Sequence, residues 1–297
     1  DGDYNVAVGY EALKTYEDGD GDGFNTAIGA RAMKLATTAE YNTSLGYNAL
    51  GGATLTGDYN IGIGYTAGNA MTSGIRNTLT GSLAGDALTT GSYNTVLGSH
   101  ALSGETGGGA NTAVGYAALN ALNVNNLGYN VAVGHEAGAV MTTGVQNTLL
   151  GSRTGDALTT GSYNIAIGMD ALTTEDTGSR SVAIGTNALF NQNYDGDAYN
   201  VAIGMSAGSQ VSTGVRNTFV GGLAGDSLTT GSNNTAVGMF ALSSETGGGK
   251  NTALGYGALE LQNVNADGNN TAVGYNAGQV ISTGVRNTIV GSQAGDL

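Results

Sequence analysis

The 297-residue chain has no cysteine, no proline, no tryptophan and only two histidines, His100 and His135. Each absence removes a class of chemistry. Without cysteine there are no disulfides, no thiolate nucleophile and no cysteine-held metal. A catalytic triad or a zinc site needs several converging groups, and the two histidines fall at variable places, so both read as surface residues. Charged residues make up only 11 %, and the net charge of −14 argues against nucleic acid as a partner. The same charge is repelled by anionic lipid. No apolar run is long enough to span a bilayer and no signal peptide opens the chain. No Gly-Lys-Ser/Thr phosphate loop occurs, and "GIGYTAG" has the wrong spacing for a dinucleotide fingerprint.

What the chain does have is 53 glycines and 40 % hydrophobic residues. That much glycine without proline is not collagen, and that much apolar content is enough for a core. The glycines belong to a repeat, Asn-x-x-x-Gly-x-x-Ala-(Leu or Gly), which is the first thing to look for in such a composition. Its first position is Asn5, Asn25, Asn42, Asn60, Asn77, Asn94, Asn111, Asn130, Asn147, Asn164, Ser181, Asn200, Asn217, Asn234, Asn251, Asn270 and Asn287. Position 5 is Gly in every copy, from Gly9 to Gly291, and position 8 is Ala except at Thr154. Starts are mostly 17 residues apart.

A second period of 70 residues lies above the first, so 60–129, 130–199 and 200–269 are four-coil blocks, with partial blocks at 1–59 and 270–297. Position 9 runs Gly, Gly, Leu, Leu through each full block, and position 3 becomes Leu79, Leu149, Phe219 and Ile289 once per block. The whole of 1–297 therefore reads as one repeat domain of 17 coils. It stops at "GSQAGDL", where an earlier copy continues as "GSLAGDALTTGSYN", and reads as an excerpt of a longer protein.

Seventeen residues are too few for a helical pair or a propeller blade. They suit one coil of an all-β, repetitive β-solenoid with two short strands joined by Gly-rich turns. In "NTAVG", alternation puts positions 2 and 4 on one face and 1, 3 and 5 on the other. Position 4 is Val, Ile or Leu in all copies but Thr80, which predicts that this face is buried. The opposite face, of Asn, a small residue and Gly, predicts close backbone approach and a ladder of stacked asparagines. A residue repeated this often serves a structural need rather than catalysis. A narrow interior cannot take every apolar column, so one of positions 4 and 9 is expected to face another chain.

The units "NTAVGYAAL" and "SVAIGTNAL" resemble the head repeats of trimeric autotransporter adhesins, most closely at 181–185, and the 17-residue form with its "TTGSYN" joins is similar to repeats in bacteriophage tail fibres. The resemblance covers the whole chain. It implies a left-handed parallel β-roll, a homotrimer, and a structural or receptor-contacting role outside the cell, in a virion tail fibre or on a bacterial surface. It implies no enzymatic activity.

Three local patterns offer other chemistry. Asp18, Asp20 and Asp22, followed by Gly23, match the first half of a calcium loop, but the closing Glu would fall at Gly29. Calcium and a solvated insertion loop remain the two readings. Tyr10, Tyr47, Tyr65, Tyr116, Tyr256 and Tyr275 all occupy position 6 and serve either packing between coils or contact with a cell-surface glycan. Arg76, Arg216 and Arg286, with Asp86, Asp156, Asp226 and Asp296, recur at the 70-residue period and suggest Arg–Asp pairs between coils or chains. Eleven Thr at position 2 would suit an ice-binding face, though position 4 is not Thr. A glycan depolymerase would need a carboxylate pair in a groove, where the repeat supplies one carboxylate per block.

Overall fold

A computed structural model describes residues 3–17 and 22–296. The chain forms two compact units, Asp1–Gln146 and Asn147–Leu297. Each is a parallel β-solenoid with one turn per repeat, and the described residues include no helix.

The first unit has eight strands: β1 (Val6–Val8), β2 (Thr26–Ile28), β3 (Thr43–Leu45), β4 (Ile61–Ile63), β5 (Thr78–Thr80), β6 (Thr95–Leu97), β7 (Thr112–Val114) and β8 (Val131–Val133). The second has nine: β9 (Thr148–Leu150), β10 (Ile165–Ile167), β11 (Val182–Ile184), β12 (Val201–Ile203), β13 (Thr218–Val220), β14 (Thr235–Val237), β15 (Thr252–Leu254), β16 (Thr271–Val273) and β17 (Thr288–Val290). Within each unit every strand pairs in parallel with the next, position 2 on position 2, as in Thr95 on Thr112 and Thr218 on Thr235. A 17-residue spacing thus becomes one step along the stack.

Each turn carries one three-residue strand, not the two expected. The reason is backbone conformation. Positions 7 and 9, and the residue just before each Asn, lie in the left-handed region, as in His100 (φ 58°), Leu102 (φ 52°) and Tyr93 (φ 64°). Strand dihedrals cannot include such residues. The return side is still bonded along the stack: His100 N–H donates to Ser82 O, and Leu102 N–H donates to Ala118 O. Those axial bonds offset the cost of left-handed φ at side chains that ordinarily avoid it.

The two faces of the strand are the reverse of the expectation. Position 3 is buried from β2 to β16, as at Ala113, Leu149 and Phe219, while positions 2 and 4 point outward. The core is built from position 3, Ala at position 8, Leu at position 9 and a further apolar residue at position 12, such as Leu88 or Leu158. Hydrophobicity misleads here because the interior between strand and return side is too thin for two branched columns. It takes Ala opposite Leu and leaves Val and Ile outside.

Position 5 shows why glycine cannot vary there. Gly98 has φ 146°, and a Cβ on it would sit 2.2 Å from the carbonyl oxygen of Gly115. Successive glycines stack backbone on backbone at a spacing no side chain can enter.

Candidate functional site

The asparagines face inward and are buried. In the first unit the backbone N–H of each of Asn25, Asn42, Asn60, Asn77, Asn94, Asn111 and Asn130 donates to the Oδ1 of the preceding asparagine, at 2.7–3.1 Å. In the second unit Asn164, Ser181, Asn217, Asn234, Asn251, Asn270 and Asn287 donate in the same way, at 2.8–3.1 Å. The Nδ2 groups reach across the same turn to a glycine carbonyl, as Asn77 does to Gly91 O and Asn217 to Gly231 O. A side chain that makes both bonds, as those of Asn77 and Asn217 do, satisfies two backbone groups that would otherwise be buried without partners. Ser181 is too short to reach. Gln192 fills the gap, donating from Nε2 to Ser181 Oγ and accepting from Asn200 Nδ2.

Three buried glutamates at the 70-residue period went unrecognised in the sequence: Glu105, Glu175 and Glu245. They stand at core position 12, where most other turns carry an apolar residue such as Leu88, Met141 or Val211 and two carry a buried glutamine, Gln192 and Gln262. The Oε1 of Glu105 accepts from Thr106, Gly107 and Gly108 N–H, and its Oε2 accepts from Val124 N–H. Burial pushes the carboxyls of Glu105 and Glu175 up, against the pull of the N–H groups around them and, for Glu175, of Gln192. These carboxylates close a glycine turn, and their lone pairs are engaged by the backbone. The signal in the sequence was a carboxylate recurring at the 70-residue period in a mostly apolar column.

Outside, the strand face carries two columns. Position 2 is mostly Thr and position 4 is Val, Ile or Leu, including Leu97 at 51 % exposure and Leu150 at 44 %. Beside this face, the residues preceding each Asn form an aromatic column missed in the sequence. Tyr4, Phe24, Tyr41 and Tyr59 stack with centroids 4.9–5.2 Å apart, and the Arg76 guanidinium lies between Tyr59 and Tyr93. In the second unit Arg180 sits between Tyr163 and Tyr199 in the same way.

The position-6 tyrosines are exposed and turned toward one another. Tyr47 stacks on Tyr65, and Tyr256 stacks on Tyr275. Tyr116 lies between His100 and His135, so the two histidines of the chain share one ring. Tyr256 likewise has Phe240 edge-on at its other side. A ring covered on both sides offers its edge and hydroxyl, not its face. Tyr10 stands exposed at the start of the column.

The expected Arg–Asp pairs do not form within either unit. Among the described residues no ion pair joins Arg76, Arg216 or Arg286 to Asp86, Asp226 or Asp296. The arginines stand on the outer column before the Asn, while the aspartates lie at position 10 on the return side, and burial pushes Asp86 and Asp226 up. The ion pairs that do form join other neighbours, such as Arg153 with Asp170 and Lys250 with Asp267.

Of the calcium residues, Asp18 and Asp20 lie outside the described residues; Asp22 is exposed and bridges to Asp3. No group of three or more potential metal-ligating side chains occurs among the described residues. No family model, curated protein or solved structure matches this chain.

Proposed function

We propose that this chain is a non-enzymatic structural segment of an extracellular fibre, a tail-fibre shaft or an adhesin head, assembled as a homotrimer of left-handed rolls through its strand faces. The observation that carries this reading is the outward aliphatic column at position 4. Val8, Ile28, Leu45, Leu97, Leu150, Ile203, Val237 and Val290 are all exposed in the single chain. Contiguous apolar surface of this kind marks an interaction site. Covering a fully exposed side chain of this type is worth roughly 1.5–3 kcal/mol, and these half-exposed ones gain a fraction of that each, summed over many turns. The partner must repeat at the same spacing to meet every residue of the column. A second and third copy of the chain do so by construction.

The mechanism is mechanical. Each turn hands its N–H and C=O groups to the next, so a turn that fits its own copy extends without limit, and length follows from duplication. Engaged in backbone bonds, the buried glutamates are not free acid–base groups, which favours a structural role over a depolymerase.

The test is the mass of the chain in solution by light scattering. Three times the 29.4 kDa chain mass is expected. The double variant Leu45→Glu, Leu97→Glu, which changes two exposed residues of one unit, is expected to run as a monomer with an unchanged far-ultraviolet circular dichroism spectrum. A wild-type monomer overturns the trimer. If that monomer also shows thermal hysteresis, the exposed Thr rank at position 2 would be an ice-binding face instead.

A further inference from the structure

We propose that a shallow dish on the second unit, between the turns that follow β11 and β12, binds a single uncharged sugar residue. The dish has a volume of about 300 Å³ and is lined by Asn187, Phe190, Ser206, Ser209 and Gln210. That volume lies at the small end of ligand pockets, the size of one sugar ring rather than a drug-sized ligand.

Its lining matches pyranose chemistry. A sugar ring has an apolar C–H face and a rim of hydroxyls that both donate and accept. Phe190 supplies the apolar surface, and its ring takes part in none of the aromatic contacts that occupy the position-6 tyrosines. The polar groups are placed to act on a ligand. Gln210 Oε1 accepts from Asn191 Nδ2 at 2.9 Å, which orients the amide and leaves its N–H₂ free to donate. Ser209 Oγ donates to Asp226 O, leaving its lone pairs to accept. Asn187 and Ser206 make no side-chain hydrogen bond among the described residues and offer both donors and acceptors. No charged side chain lines the dish, so an uncharged sugar avoids desolvating an ion.

The duplicated blocks differ in the side chains they place at this dish. At the 70-residue period Phe190 corresponds to Asn120 and Glu260. Asn120 is tied down, donating to His100 O and to Ser103 Oγ. Glu260 accepts from Gln279 Nε2 at 2.6 Å. Of the three copies, only the middle one places an aromatic ring here.

The dish stands on positions 7, 10 and 11 of its turns, away from the outward strand positions 2 and 4. The inference therefore does not rest on trimerisation, and a failed mass measurement and a failed binding measurement have separate meanings. The test is saturation-transfer NMR and titration of the whole chain with the methyl glycosides of glucose, galactose, mannose and N-acetylglucosamine. Glucuronic acid and N-acetylneuraminic acid serve as charged comparators. At least one uncharged glycoside is expected to bind with a millimolar dissociation constant. Phe190→Ala and, separately, Gln210→Ala should weaken it roughly tenfold or more, while Tyr275→Ala leaves it unchanged. Should Phe190→Ala lower the thermal midpoint, Gln210→Ala alone decides. Binding by neither variant-sensitive nor uncharged routes sinks the proposal: no uncharged glycoside bound, only the acidic sugars bound, or Gln210→Ala binding as wild type.

Discussion

Two kinds of turn fill the same narrow core from opposite sides. In the turn of β7, position 3 is Ala113 and position 9 is Leu119; in the turn of β13, position 3 is Phe219 and position 9 is Gly225. The backbone at position 9 is the same in both, with φ 51° at Leu119 and 57° at Gly225. Gly225 is therefore not demanded by conformation. It makes room, because a Cβ there would lie 2.3 Å from Cε1 of Phe219. Gly208 in the preceding turn yields to the same ring, and Gly68 and Gly85 yield to Leu79. What is kept from turn to turn is interior volume, not the identity of the residue that supplies it. Position 5 is the contrast, where glycine is required by φ and by the carbonyl stacked above it.

The largest effect should come from breaking position 5. Gly221→Ala places a Cβ 2.6 Å from the carbonyl carbon of Gly238 at φ 138°, combining backbone strain with a contact no side chain can relieve. A loss of about 4 kcal/mol or more is expected by chemical denaturation. Phe219→Ala should cost about 3 kcal/mol through the cavity it leaves. The comparison is sharpened by the swap Phe219→Ala, Gly225→Leu, which rebuilds the composition of the β7 turn. It should recover about half of that loss, since the room at Gly208 stays unfilled. Simple additivity of the two single variants would show that volume is not what the turns exchange.

The smallest effect is with pH. Burial raises the folded-state carboxyls of Glu105 and Glu175 above their ordinary value of 4.5, and those of Asp86 and Asp226 above 3.8. Between the unfolded and folded values the native state holds more protons, so stability falls as pH rises through that window. Acidifying from neutral pH toward the ordinary carboxylate value should raise the thermal midpoint, and Glu105→Gln should flatten that response. Glu11 acts in the opposite sense, held down to about 2 by Lys14 and Lys34, and its contribution is lost only on going below the ordinary carboxylate value. A midpoint that falls steadily over the same range would contradict the assignment.

Much of the fold was legible because the chain repeats. Invariant glycine at position 5 announced a backbone contact, and Asn at position 1 of every copy but Ser181 announced an interaction each turn makes with the next. The two-sided core was also present in outline, since Leu79, Leu149, Phe219 and Ile289 fall in turns whose position 9 is Gly. The inversion of the strand faces was not legible. Period-2 alternation says which residues share a face, and only the width of the interior says which face is inside. The second strand was missed for a related reason: left-handed φ at Leu, Tyr and Arg is imposed by axial hydrogen bonds, and no residue type in those positions signals it. Phe190 stood in a variable place, where one sequence gives no reason to look; Glu105, Glu175 and Glu245 did carry a signal, their recurrence at the 70-residue period.

Sequence alone determined the turn length, the stacking of like on like and the glycine and asparagine columns, because a repeat can satisfy its backbone only against its own copy. Tertiary structure decided the rest: which branched residues go outside and which ring faces are covered by their neighbours. Those outcomes depend on distances across a core about one side chain thick, and such distances exist only once the turns are stacked.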